Sequence, residues 1–193
     1  MSSFSDAMIF LREFVKNPRQ LGSVIPSSGF LKRRIMRAAG VHQAKTIVEL
    51  GPGNGGTTRS ILAAMPADAR LLSIELNEGL YQLSSGISDQ RYIAHHGDAH
   101  ELAAILSQHG LDQPDVVISG IPFSCMERQA GAALIERIHG LLQPGGRFVA
   151  YQVNPRVDQL NTFFKADNAR SVAWEWLSIP PLRVWRWQKQ TAA

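Results

Sequence analysis

The sequence predicts an α/β protein: a seven-stranded, mostly parallel sheet covered by helices, closing in a C-terminal antiparallel hairpin and preceded by N-terminal helices. From Thr46 onward, short runs rich in β-branched residues alternate with helical patterns, and that alternation builds parallel strands joined by crossover helices. The last two strand-like runs are separated by Pro180 and Pro181 with no room for a crossover, so they must pair antiparallel. A glycine-rich turn, "GPGNGG" from Gly51 to Gly56, follows the first strand, at the end of the sheet where open α/β folds bind ligands.

The elements follow in order. Residues 1–40 read as a helical, amphipathic and basic extension, and residues 41–193 as the sheet domain. "TIVELG" forms the first strand, followed by a helix from Thr57 to Met65; "RLLSIEL" forms the second, followed by Glu78 to Ser85. "RYIAHHGD" leads into a helix from His100 to His109, "DVVISG" into one from about Met126 to Leu142, and "GRFVAYQV" into one around Val157 to Lys165. "SVAWEWLSI" and "LRVWRWQK" make the closing hairpin.

A chain of 193 residues is enough for one well-packed domain. No apolar run approaches the roughly 20 residues of a membrane-spanning helix, and the start of the chain lacks the long apolar core of an export signal, so a cytoplasmic protein is expected. The one cysteine, Cys125, excludes an internal disulfide and a cysteine-rich metal site. The formal net charge is +4, yet between Arg12 and Arg37 seven cations face Glu13 alone, an excess of six, so the rest of the chain is slightly acidic. A basic segment of this kind attracts a polyanion, either nucleic acid or an anionic lipid surface. Placed on a helix, Phe4, Met8, Leu11 and Val15 share one stripe while Ser5, Arg12, Glu13 and Lys16 lie opposite. A helix from Phe4 to Lys16 with that pattern either lies in a lipid interface or caps its own domain.

The glycine turn has the spacing G-x-G-x-x-G, which serves more than one cofactor. Its charge discriminates. Glu49 stands two residues before Gly51, and a carboxylate there repels a pyrophosphate across a low-dielectric cleft. S-adenosylmethionine brings a sulfonium and an α-ammonium instead, and Glu49 suits both, directly or through an ordered water. Glu75 closes the second strand, where a carboxylate accepts from ribose hydroxyls, and Asp98 follows the third, where it can accept from an adenine amino group.

In this order "ELGPGNG", "IELN", "HGDA" and "SGIPFS" resemble class I S-adenosylmethionine-dependent methyltransferases, which have a Rossmann-like fold. Within that class the neighbourhood is that of rRNA adenine dimethyltransferases and bacterial phospholipid N-methyltransferases. The upstream "LGSVIPSSGFLKRRIM" and the terminal "IPPLRVWRW" are more similar to the phospholipid enzymes. The resemblance implies Glu49, Gly51, Gly53 and Gly55 at the methionine end of the cofactor, Glu75 with Leu76 at the ribose, and Asp98 with Ala99 at the adenine. It implies Ser28 in a lid over the cofactor, and Ser119, which also touches the cofactor, with Gly120, Ile121, Pro122 and Phe123 as the wall where the methyl acceptor approaches. In the adenine dimethyltransferases this loop carries an Asn whose amide oxygen accepts from the target amino group; Gly120 stands in its place, offering only backbone.

The expected function is therefore N-methylation of the amine head group of a phospholipid such as phosphatidylethanolamine. Tyr151, near the end of the fifth strand, is the side chain expected beside the acceptor to orient or deprotonate it, with His95, His96 and His100 as the other candidate proton acceptors. Lys32, Arg33, Arg34 and Arg37, with the Phe4 to Lys16 helix, are expected to meet an anionic membrane at its inner face. His95 and His96 point to opposite faces of one strand and cannot share an ion, so no metal is expected. Trp174, Trp176, Trp185 and Trp187 all lie in the hairpin, with packing, an interfacial belt and contact with a methylated ammonium as their open uses. The alternatives are an RNA adenine N6-methyltransferase, a small-molecule amine methyltransferase, and a non-catalytic module that retains the cofactor pocket.

Overall fold

The computed structural model describes residues 29–165, 171–175 and 182–191. The strands are β1 (Thr46–Leu50), β2 (Arg70–Glu75), β3 (Tyr92–His96), β4 (Val116–Ser119), β5 (Arg147–Gln152), β6 (Ser171–Glu175) and β7 (Leu182–Gln188). The helices are α1 (Gly29–Ala39), α2 (Gly56–Ala64), α3 (Glu78–Ser85), α4 (Leu102–Gln108), α5 (Arg128–Leu141) and α6 (Arg156–Leu160). They form one seven-stranded sheet in the order β3-β2-β1-β4-β5-β7-β6. β1 to β5 are parallel, and β7 is antiparallel to both β5 and β6. The mostly parallel α/β sheet with a terminal antiparallel hairpin is thus the fold the sequence predicts.

Both faces of the sheet are covered, which is why its central strands read as continuous apolar runs rather than alternating ones. On one face Leu31, Ile35 and Ala39 of α1, four residues apart, and Ile61 of α2 pack against Ile47, Ile118, Val149 and Val184. Fully burying a side chain of this size contributes about 1.5–3 kcal/mol. On the other face α4 and α5 supply Leu102, Ile105, Leu134, Ile135 and Ile138 against Val48, Val117 and Ala150. An aromatic layer continues that face toward the hairpin. Trp187 stacks on Phe148 at 5.2 Å between ring centres and lies parallel to Trp185 at 6.0 Å, with Phe164 6.0 Å from Phe148. Trp185 and Trp187 are therefore core residues. Trp174 is 38% exposed, beneath the guanidinium of Arg183 at 4.1 Å.

Three helix boundaries differ from the sequence expectation, each for a local reason. The segment expected to be one helix from Val157 to Lys165 stops at Leu160, because the Asn161 side chain accepts the Phe164 N–H at 3.1 Å and a 3₁₀ turn follows at Phe163–Lys165. The helix expected from His100 opens as a 3₁₀ turn, Ala99–Glu101, capped by the Asp98 carboxylate, before α4 begins at Leu102. α5 starts at Arg128 rather than Met126, because Met126 is extended after a 3₁₀ turn at Phe123–Cys125.

The outer side of α1 carries Phe30, Arg33, Arg34 and Arg37, all exposed, with Lys32 partly buried and Arg33 stacked over the Phe30 ring at 4.6 Å. The Phe4 to Lys16 helix, Ser28, Trp176, Pro180 and Pro181 lie outside the described residues. Among the described residues no helix is long and apolar enough to cross a membrane.

Candidate active site

The C-terminal ends of β1 to β5 share one edge, and the predicted site residues converge there from five strands. Gly51, Gly53 and Gly55 have φ of 72°, 57° and 77°, a left-handed conformation that L side chains rarely adopt, so the turn depends on glycine. The turn is tied down on one side by the Gly51 N–H, which donates to the Ile74 carbonyl at 2.9 Å. Glu75 ties it on the other: Oε2 accepts the Gly53 N–H at 3.1 Å, and Oε1 accepts the Asn77 N–H at 3.0 Å. Burial raises the Glu75 pKa above the usual carboxylate range, and these backbone bonds oppose the rise.

Glu49 lies one residue inside the strand end and is fully buried. Its Oε2 accepts both the Thr58 and the Ser73 hydroxyls at 2.7 Å, while Oε1 is buried without a partner. Burial pushes its pKa up to about 7, and the nearby Glu75 charge acts in the same direction. A carboxylate with one oxygen saturated and the other bare is poised for a cation, since an unpaired buried charge is costly.

Asp98, two residues past β3, accepts the backbone N–H and the ring Nδ1 of His100, both at 2.9 Å and both on Oδ1. The opposite His100 nitrogen, Nε2, meets the Ala130 carbonyl at 3.1 Å, so the imidazole bridges β3 to α5. Asp98 is held below the usual carboxylate range and His100 above the usual histidine range, in each case first by their mutual hydrogen bond. Ala99 is buried beside them, and Leu76 next to Glu75 is 36% exposed with its carbonyl bound to His96 Nε2 at 3.1 Å. His95 instead meets His109 at 3.0 Å, so the two adjacent histidines do serve opposite faces. Among the described residues no group of three or more histidine, cysteine or acidic side chains is arranged to hold a metal.

The loop after β4 abuts the glycine turn. The Gly120 N–H donates to the Leu50 carbonyl at 2.9 Å, and Ser119 Oγ accepts the Ile121 N–H at 3.3 Å. A Cβ at residue 120 would lie 2.5 Å from the Tyr151 hydroxyl and 3.0 Å from the Gly51 carbonyl, so this position has no room for any side chain. Tyr151 thereby joins Ser119, Gly120 and Ile121 at the junction with Gly51. Burial, and after it the Glu49 carboxylate, pushes the Tyr151 pKa up, so its hydroxyl stays a phenol. Pro122 is partly buried, but Phe123 is fully buried and edge-on to Phe148 at 6.5 Å; it supports the loop from beneath instead of facing its open side.

Sequence reasoning missed Ser73, Thr58 and Gln152. Ser73 is a hydroxyl inside the apolar run "LLSIE", and it faces Glu49 because the two are register partners in β1 and β2. Gln152 donates from Nε2 to the Ile121 carbonyl at 2.6 Å and fixes the acceptor loop from β5. A polar residue on the same strand face as Phe148 and Ala150 was the available signal.

No protein-family model matches the chain. It is 30% identical over 145 residues to an ornithine lipid N-methyltransferase of Singulisphaera acidiphila, covering 74% of this chain and 76% of that one. It is 33% identical over 107 residues to the ribosomal RNA small subunit methyltransferase A of Zymomonas mobilis, covering 52% of this chain but only 37% of that enzyme. Among solved structures it superimposes on the N-methyltransferase NodS of Bradyrhizobium japonicum with a TM-score of 0.67 at 12% identity, covering 86% of this chain and 98% of NodS. The O-methyltransferase TomG of Streptomyces achromogenes, solved with S-adenosylmethionine, gives 0.65 at 16% identity, covering 86% and 81%.

Proposed function

The chain belongs to the class I S-adenosylmethionine-dependent methyltransferases, and from that premise we propose that it N-methylates the amine of a lipid head group. S-adenosylmethionine is its cofactor, and the residues present fit it: the glycine turn leaves a cradle, with open space around Gly53, and Glu49 Oε1 is a buried acidic oxygen lacking a partner. Glu49 with Gly51, Gly53 and Gly55 would hold the methionine end, Glu75 beside Leu76 the ribose hydroxyls, and Asp98 with Ala99 the adenine. The bound cofactor supplies an electrophilic methyl group.

The chain's own residues supply alignment and a dry cleft. An amine head group is an ammonium with a pKa of about 10 and must lose a proton before its lone pair can attack. Tyr151, held as a phenol, orients the amine through its hydroxyl and does not take that proton. The observation that carries the reading is the contact between Tyr151 and Gly120. Where a base-methylating loop needs a side-chain acceptor, the phenol oxygen already fills the space, which suits a slim aliphatic amine better than a planar base. The ornithine lipid relative supports a lipid amine. Phosphatidylethanolamine is the second lipid to try.

The exposed Phe30, Arg33, Arg34 and Arg37 on α1, with Lys32 and the Phe4 to Lys16 segment, support peripheral binding to an anionic membrane at its inner face. Each basic residue near such a surface contributes about 1 kcal/mol. RNA adenine methylation is the second reading, favoured by the identity to the ribosomal RNA enzyme. The test is transfer of labelled methyl by the purified protein to vesicles containing ornithine lipid or phosphatidylethanolamine with anionic lipid, and in parallel to structured RNA. Label in the lipid fraction is expected; label in RNA alone would overturn the proposal.

A further inference from the structure

We infer that the Arg183 guanidinium forms a subsite for an oxyanion carried by the methyl acceptor, with the Gln152 amide oxygen beside it left to accept from the acceptor's N–H groups, so that the enzyme selects amines bearing an acid group close to the nitrogen. The inference rests on the lipid-amine reading and names what in the head group is recognised.

Gln152 ends β5 and is the direct register partner of Arg183 at the start of β7. Direct partners on neighbouring antiparallel strands share a face with Cα atoms about 4.5–5.5 Å apart. Their face is the one that carries Ala150 and Trp185. Gln152 is only 6% exposed, and while its Nε2 holds the Ile121 carbonyl, its Oε1 is buried without a partner. Arg183 Nε is likewise buried without a partner, and among the described residues no carboxylate pairs with this guanidinium. Its nearest aromatic contact is the ring of Trp174, on the adjoining register position of β6, which fixes the guanidinium plane at 4.1 Å.

A partly buried cation held on an aromatic ring at a ligand-binding edge, with no counter-ion among the described residues, is placed to take an anion from a ligand. The guanidinium fork matches a phosphodiester or a carboxylate with two parallel bonds. Gln152, the register partner of Arg183, holds the acceptor loop at the Ile121 carbonyl, so an anion at Arg183 and an amine at Gly120 lie on neighbouring parts of one sheet edge, within reach of a compact zwitterionic head group. The two acids share this chemistry, and the measurement separates them.

The experiment is calorimetric binding to the full-length protein loaded with S-adenosylhomocysteine, using ethanolamine, glycerophosphoethanolamine and Nα-acetylornithine as probes. At least one acid-bearing amine is expected to bind about tenfold or more tightly than ethanolamine. In Arg183→Gln that ratio falls toward one, Arg183→Lys keeps part of it, and Arg186→Gln, which removes the same charge three positions further along β7 on its opposite face, retains it. Thermal melting certifies that each variant is folded. Equal binding of all three probes by the parent, or a preference that survives Arg183→Gln, would overturn the subsite. The acid that gains most identifies the head group. A preference lost in Arg183→Gln upholds the subsite even where lipid vesicles accept no label, an outcome that removes only the lipid reading.

Discussion

At the β3-β2-β1 end of the sheet edge the carboxylates arrive with partners already in place, whereas at the β4-β5-β7 end polar groups stand with bonds unmade. Glu75 accepts two backbone N–H groups, Asp98 is held by His100, and Glu49 takes two hydroxyls on one oxygen. Gln152 Oε1 and Arg183 Nε, by contrast, are buried and unpaired. Groups held in place beforehand lose little freedom when a ligand binds, so the first end is built for one invariant ligand. The second end offers one donor and one acceptor, which suits a ligand that brings both an acid and an amine. Glu49 Oε1 departs from the pattern, as does the Tyr92 hydroxyl at the start of β3; Glu49 lies where the two ends meet, close enough to Tyr151 for its charge to raise the phenol pKa.

The largest expected effect comes from joining the two ends by force. Gly120→Asn drives a side chain into the Tyr151 hydroxyl and the Gly51 carbonyl, and overpacking of this kind costs about 1–3 kcal/mol. Methyl transfer should fall by about a hundredfold, because small misplacements at a reacting centre have effects of that size. Adding Tyr151→Phe removes the hydroxyl and should recover part of the melting temperature. A single variant as active as the parent would mean that the junction yields easily.

Glu49→Gln tests the exception. The Glu49 pKa is raised from 4.5 to about 7 in the fold, so its contribution is fully present below about 4.5 and is lost as pH rises through about 7. The loss amounts to about 3 kcal/mol in the ligand-free protein. Melting scans from pH 5 to 8 should therefore show the parent losing stability relative to Glu49→Gln, while the variant binds cofactor at least about tenfold more weakly at pH 8. Parallel melting curves for the two proteins would show that Glu49 is not the buried acid described. Glu75→Ala tests the end whose partners are already in place. It removes an acceptor from the Gly53 and Asn77 N–H groups as well as from the ligand, and cofactor affinity should fall by about 1.5–3 kcal/mol by calorimetry.

The strand order was legible because alternation of apolar runs and the length of the last connection are properties of the chain itself. So were the glycine turn and the three carboxylates, which sit at fixed offsets from strands. What completes each carboxylate was not legible. Ser73 reaches Glu49 through strand register, and Thr58 reaches it from the first turn of α2, so neither pairing exists until β1, β2 and α2 have docked. Gln152 and Arg183 are neighbours only through the antiparallel register of β5 and β7, 31 positions apart in the chain. Tyr151 was expected beside the acceptor on strand position alone; that it fills the space above Gly120 is a matter of packing.

The order β5-β7-β6 also bears on how the chain is made. Among the described residues the one sheet neighbour of β6 is β7, which comes after it in the chain. During synthesis β6 therefore emerges with no template to pair on, and Phe148 and Phe164 remain without the ring of Trp187 that packs against them. The strands of the parallel half all precede the hairpin in the chain, whereas the hairpin and its aromatic layer can close only once β7 has been made.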